Sequence, residues 1–389
     1  MTSDLKIISA SMLFWGIGEG MFLIFQPLYI QELGADPILI GAILGVNGLV
    51  MSLSQIPSGY LADKLGRRPL MWFSWISGLV ATWVMAFAPS LCAFVVGLIL
   101  YGVTSSVMAP LNTYVQGARG NWSVGRAVSF ISAAFNIGGI IGPVLGGMVA
   151  EHFGLRSVYF AAGALFAVST LIILFVRKQP VEKTTSVEGE VHLLKNRRFL
   201  TMLGVIALVL IAMTLPQPLT ANFLQNQRGM HFGRIGQLGS LASLGSVLMI
   251  LGFGHLPAST ALLISQGGLM LFAALIWGGG GFLWYGLGFL FLGGHRLGRA
   301  MTVALVQPLV REGEVGLAFG MVETLNALSM MAAPVLAGFL YDWNPVSVYP
   351  VSLLVLALTF LLSLRYFNGN RHGAQSDAAQ AEKEIRNDA

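Results

Sequence analysis

Apolar stretches of about twenty residues, nearly free of Asp, Glu, Lys and Arg, follow one another along the chain. Wound as a helix, each is long enough to cross roughly 30 Å of hydrocarbon. In lipid, every backbone polar group needs a partner within the protein, so such runs dictate a bundle of spanning helices. Composition agrees: 10% of the 389 residues are charged, against about 25% in an ordinary soluble domain. The expected fold class is therefore an all-α integral membrane protein.

Twelve spans are expected, over 6–32, 37–62, 69–89, 91–117, 126–150, 156–176, 199–225, 233–254, 257–277, 281–309, 316–341 and 346–366. The longest polar break, "RKQPVEKTTSVEGEVHLLKNRR", divides them six and six. The expected domains are an N-terminal six-helix bundle over 1–176, a cytoplasmic linker over 177–198 and a C-terminal six-helix bundle over 199–367. A polar tail over 368–389 is expected to be disordered and cytoplasmic.

Lys and Arg set the orientation. With the N-terminus inside, the inner loops hold Lys64, Arg67 and Arg68, then Arg119 and Arg126, six bases between Arg177 and Arg198, and Arg311. The opposite loops hold mainly Arg156, Arg228 and Arg234. Both termini are expected on the cytoplasmic side of a prokaryotic plasma membrane. The net charge of +5 could point to nucleic acid, but these bases lie between apolar runs and form no binding face. No nucleic-acid partner is expected; membrane lipids are, and the chain is expected to act as a monomer. The one cysteine, Cys92, excludes an internal disulfide and a cysteine-based metal cluster. The first apolar stretch is too long for a cleaved leader, and none is expected.

The halves repeat. "GPVLGG" at 142–147 matches "APVLAG" at 333–338, and the same shift relates Gly125 to Gly316 and "QPL" at 26–28 to "QPL" at 217–219. A slightly larger shift relates "IG" at 40–41 to "IG" at 235–236, and Gly59 to Gly254. Pieces of spans 1, 2 and 5 thus recur in order in spans 7, 8 and 11. This order argues for a parallel duplication, two bundles related by a pseudo-two-fold axis along the membrane normal.

Two motifs carry a resemblance. "GYLADKLGRR", with Gly59, Asp63, Gly66, Arg67 and Arg68, resembles the signature between the second and third helices of the major facilitator superfamily, G-x-L-A-D-[RK]-x-G-R-[RK]. Gly138, Gly142, Pro143, Gly146 and Gly147 resemble that superfamily's fifth-helix pattern G-x-x-x-G-P-x-x-G-G, associated with proton-exchanging exporters that include drug antiporters. The resemblance covers about residues 5–367. It implies a conformational gate at the first motif, latching the inner side in the outward-open state, with the start of span 11 near Gly316 as its partner. It also implies that helices 1, 4, 7 and 10 surround a central cavity. The sequence departs from the pattern after Gly254, where "HLPASTALL" lacks a second copy of the first motif, so the latch is expected on one half only. The usual fourth-helix arginine motif is also not recognisable. For the fifth-helix motif, two readings stand side by side: close packing with a proline kink, and a seal between the halves.

Ionisable groups within the apolar runs are costly and call for a partner or a wet path. Glu19 lies midway through span 1; His295, Arg296 and Arg299 lie midway through span 10; Glu323 lies two turns into span 11. His295 and Arg299, four apart, share a helix face. Depth puts Arg296 level with Glu19 and lets Arg299 meet Glu323. Expected proton-coupling candidates are Glu19, Glu323 and His295. Expected substrate-binding candidates are Glu19, Arg296 and Arg299, with the amides Gln26, Asn112, Asn136, Gln217, Asn222, Gln307 and Asn326. Gln26 is one heptad after Glu19 and is expected on its face. The structural alternatives are a Glu19 tied to nearby backbone, an arginine lock between helices, a satisfied core histidine at 295, and amides that only pack.

The expected activity is secondary transport by alternating access. Without a P-loop, the drive is expected from a proton gradient, with no cofactor. A carboxylate that holds either a proton or a cationic partner can couple the two flows. The expected substrate is an amphipathic small organic compound, anionic where the arginines grip it, and exported. Uptake by symport and flipping of a lipid are the alternatives within transport. No nucleophile, base or metal-ligand cluster points to an enzyme, and a sensor without flux is the remaining class.

Overall fold

The computed structural model describes residues 2–179, 197–310 and 315–366. Most of the expected linker and the whole expected tail lie outside the described residues.

The described residues form helices and short turns, with no strand. In chain order the helices are α1 (Ser3–Leu23), α2 (Gln26–Glu32), α3 (Pro37–Leu65), α4 (Arg67–Phe87), α5 (Leu91–Gly102), α6 (Met108–Ala118), α7 (Val124–Phe153) and α8 (Leu155–Ile173). The second half continues with α9 (Arg197–Thr214), α10 (Thr220–Asn226), α11 (Phe232–Phe253), α12 (Ala258–Gly278), α13 (Phe282–Leu292), α14 (Gly294–Val306), α15 (Val315–Trp343) and α16 (Val348–Tyr366). The end of the bundle that holds the N-terminus is called proximal below, and the other end distal.

Among the described residues, nine helical runs are long and apolar enough to cross a membrane, with α5–α6 counted as one run, and the pair α1–α2, bent by 45°, makes a tenth candidate. The two other expected spans, 199–225 and 281–309, are broken into α9–α10 and α13–α14. Length and apolarity therefore account for ten of the twelve expected spans.

The breaks follow a pattern. They fall in the first, fourth, seventh and tenth of the expected spans, and each has a local cause. Pro27 opens α2, and Pro110 lies in the first turn of α6, after a 3-10 turn over Val103–Val107. Pro216 and Pro218 separate α9 from α10, and Gly293 and Gly294 separate α13 from α14. Proline lacks an N–H and clashes with the preceding turn. At Gly293 a Cβ would strike the Gly245 backbone of α11, so the break sits where two backbones touch. Discontinuous helices of this kind leave backbone groups free at mid-depth, which is tolerated where they line a cavity.

Helices before and after the expected linker pack both among themselves and across it. α1 packs on α7 and α8, and α4 on α5 and α8; in the second half α12 packs on α13 and α14, and α9 on α15. The halves meet along two seams, α3 against α15 and α7 against α11. Single glycines turn α3 into α4 and α7 into α8: Gly66 (φ +88°) and Gly154 (φ +81°) adopt left-handed backbone that other residues resist.

Candidate functional site between the halves

Both seams are closest towards the distal end. Along α3–α15, a Cβ on Gly41 would meet the Pro334 carbonyl, and one on Gly48 would lie 2.8 Å from the Met330 carbonyl oxygen. Along α7–α11, Gly147 faces Phe232, Gly233 and Gly236. Polar contacts add to this closure. Asn222 of α10 donates to the Gln31 side chain (2.6 Å) and the Pro27 carbonyl (3.2 Å), and Asn226 donates to the same Gln31 oxygen (3.0 Å). Glu151, at the end of α7, accepts from the Gly233 backbone N–H (3.1 Å) and lies 3.5 Å from His231 Nδ1. The contacts between halves described here run from the distal end to mid-depth, where Gly139 approaches Ser243.

The fifth-helix motif divides its work between neighbours. Gly138, Gly142 and Gly146 face α1, where added Cβ atoms would strike backbone of Leu13, Ile17 and Met21. Pro143 and Gly147 face α11, against Gly236, Gly239 and Phe232. The glycines facing α1 pack within the half and Gly147 packs on the other half, while the Pro143 ring approaches both Gly20 of α1 and Gly239 of α11.

At mid-depth, Glu19 sits at the end of an aromatic nest. Trp15, one turn earlier on α1, donates its indole N–H to Glu19 Oε2 at 3.0 Å. Trp15 is itself fixed by stacking on Phe166 (centroids 4.4 Å apart) and by Trp75 at 5.2 Å. The Tyr101 hydroxyl, just before the break in the α5–α6 span, also faces the carboxylate. Trp15 and Tyr101 were not among the expected site residues. The i, i+4 spacing of Trp15 and Glu19 is the signal that could have found the first; Tyr101 is brought in by tertiary packing alone.

Opposite stands the basic helix α14, where three side chains take different partners. Arg296 Nη1 donates to Asn136 Oδ1 of α7 at 2.9 Å, a contact across the halves. Its charge also acts on Glu19, although the two form no direct ion pair. Arg299 Nη2 donates to Glu323 Oε2 of α15 at 2.7 Å. With its amide oxygen turned towards this group, Asn326 also accepts from Arg299 Nε (3.1 Å) and Nη2 (3.2 Å). His295 Nε2 lies 3.2 Å from Thr214 Oγ1. The single Thr214 hydroxyl hydrogen goes to the Leu210 carbonyl at 2.8 Å.

The amides scatter. Asn136 and Asn326 join the arginines, as described. Asn222 lies in the distal closure. Gln217 donates to the Met213 carbonyl at 2.7 Å, in the break after α9. Asn112 and Gln307 are exposed. Gln26 is buried at the start of α2, beyond the 45° bend, so the heptad relation to Glu19 is interrupted. Of the expected gate, Gly66 forms the turn, Arg67 donates to the Thr113 carbonyl (3.4 Å) and to Gln179 (3.3 Å), and Arg68 lies over Trp72 at 4.0 Å. These partners lie in the first half and, for Gln179, at the start of the expected linker. Gly59 and Asp63 lie in the last turns of α3 and Gly316 in the first turn of α15, but their surroundings fall outside what the structure describes. Among the described residues no group of His, Cys, Asp and Glu is placed to hold a metal.

The fold is that of known transporters. The nucleoside transporter NupG superposes with a TM-score of 0.78 at 17% identity, covering 94% of this chain and 98% of that one. In sequence, the multidrug resistance protein MdtG of Salmonella arizonae is 28% identical over 209 residues, 50% of this chain and 51% of that protein. The multi-drug resistance efflux pump PmrA of Streptococcus pneumoniae serotype 4 is 27% identical over 170 residues, 42% of this chain and 43% of that protein. The chain thus matches about half the length of these relatives. The family model of the Major Facilitator Superfamily matches residues 8–298, well over half of the sequence. The chain belongs to the Major Facilitator Superfamily, a family of membrane transporters.

Proposed function

We propose that this chain is a proton-coupled exporter of amphipathic small organic compounds that carry an anionic group, working by alternating access. The observation that carries the reading is Arg296 of α14, which bonds across the halves to Asn136 and whose charge acts on Glu19 without a direct ion pair. A carboxylate on the first half, held by Trp15, faces a guanidinium on the second half that reaches back to Asn136. The four broken helices bring these groups to mid-depth, where discontinuous helices in transporters bind substrate and ions.

The chemistry supports an exchange cycle. Arg296 retains N–H donors beyond its bond to Asn136 and can take a carboxylate or phosphate in forked geometry. A substrate anion on Arg296 competes with Glu19 for that positive charge, and a proton on Glu19 relieves the competition. Export is favoured by the drug-efflux names of the sequence relatives. The charge bias of the loops supports a cytoplasmic proximal end. On that orientation, the distal closure corresponds to a state open to the cytoplasm.

The test is transport by the purified chain in proteoliposomes, across panels of organic anions, lipophilic drugs and lipids, with and without a pH gradient. Gradient-driven movement of an amphipathic anion against protons is the expected result. Movement of a lipid alone, co-transport with protons, or no flux of any compound would each contradict the reading.

A further inference from the structure

Arg228 and Arg234 stand out from the loop charges because they lie at the distal end, against the overall bias. They converge on one place. With His231, Gly280, Gly281 and Tyr285 they line a hollow of about 350 Å³ between the start of α11 and the turn before α13.

The hollow is held in shape. Arg228 Nη2 donates to the Trp277 carbonyl at 2.7 Å, and its guanidinium lies 5.3 Å from the Phe223 ring. Arg234 lies over Phe282 at 5.5 Å. The buried Tyr285 donates its hydroxyl to the Gly279 carbonyl at 2.7 Å and pins the glycine turn. Each guanidinium has five N–H groups, and these contacts leave most of them open to the hollow. Glu151 of α7 is engaged by His231 and the Gly233 N–H. No carboxylate is among the residues that line the hollow with the two arginines. Beside the hollow, Trp277, Leu283 and Trp284 are exposed. Exposed aromatic and apolar side chains at a helix end mark the level of the lipid headgroups.

We propose that this hollow is a binding site for a phosphate-bearing anion, seated between Arg228 and Arg234 over the glycine turn. Two guanidiniums from separate elements suit a tetrahedral oxyanion, which each can grip through paired N–H groups. The phosphate belongs either to a lipid headgroup or to a free phosphate compound.

The full-length chain is tested as wild type, Arg234→Gln and Arg228→Gln/Arg234→Gln, with Arg156→Gln as a distal arginine outside the hollow. Arg234 makes only a ring contact, so its single variant retains the fold. One arm measures thermal stabilisation in detergent by inorganic phosphate against chloride at equal ionic strength. The other measures retention of phosphatidylglycerol against phosphatidylcholine from nanodiscs of equal parts, by native mass spectrometry. The proposal expects wild type and Arg156→Gln to bind in at least one arm. It expects Arg234→Gln to weaken that binding about tenfold, and the double variant to abolish it. Loss in the lipid arm assigns the phosphate to a headgroup, and loss in the phosphate arm to a free anion. Unchanged binding in both arginine variants, equal loss in Arg156→Gln, or no binding by wild type in either arm overturns the proposal.

Discussion

Arg299 and Glu323 form an ion pair of 2.7 Å between α14 and α15, while Arg296, three residues earlier, turns to Asn136 of the other half. Residues three apart on a helix lie near one face, yet these two charges serve different purposes. Arg299 is held within the second half. Arg296 touches the first half and lies within electrostatic reach of Glu19.

The Arg299–Glu323 pair is two-fifths exposed on each side, 41% and 42%. That places it between a surface pair, worth about 0–1 kcal/mol, and a buried one, where loss of one partner costs about 3–5 kcal/mol. Arg299→Gln and Glu323→Gln are each expected to lower stability by about 1–3 kcal/mol. The double variant should cost clearly less than the sum, because neither charge is then left alone. Thermal unfolding of the four proteins in detergent checks this; additive losses would contradict it.

The division of the glycine motif gives three different outcomes. Gly146→Ala would drive a methyl into the Met21 carbonyl of α1, and overpacking of this kind costs about 1–3 kcal/mol. It should lower the melting temperature. Gly147→Ala would meet the Phe232 carbonyl oxygen at 2.8 Å, across the seam. It should leave the fold intact and open the distal end, seen as longer distances between spin labels on α2 and α10. Gly139→Ala finds Ser243 Oγ at 3.8 Å, ordinary contact, and should change neither readout.

Much of this was legible because a charge in an apolar run stands out. Glu19, Arg296, Arg299 and Glu323 could be singled out, and their depths compared, from helical rise alone. The helix breaks were not legible. Pro27, Pro110, Pro216 and Pro218 lie inside runs apolar enough to read as continuous spans, and the break at Gly293 sits where the Gly245 backbone lies against it. That is why the heptad relation of Gln26 to Glu19 did not survive the bend. The separate duties of Gly146 and Gly147 were also hidden, since adjacent residues on one helix differ only in which neighbour they face. The partner of Asn222 was hidden too: an amide in an apolar run does not reveal that it bonds to Gln31 in the distal closure.

Asp63 of the "GYLADKLGRR" stretch is the expected gate residue. In this structure Arg67 bonds to the Thr113 carbonyl and to Gln179, and Arg68 lies over Trp72. Asp63→Asn is expected to abolish transport while leaving substrate binding within about threefold of wild type, or roughly 0.7 kcal/mol. Flux and equilibrium binding of one transported compound, measured side by side, check this. Normal flux would reduce the motif to a marker of topology.

The central claim is that Glu19 is the group that exchanges a proton for substrate. Its most direct test is Glu19→Gln in proteoliposomes, comparing transport driven by a pH gradient with substrate exchange at equal pH on both sides. The account predicts that gradient-driven transport and its accompanying proton movement are lost while exchange persists. Proton-coupled transport undiminished in Glu19→Gln would contradict it.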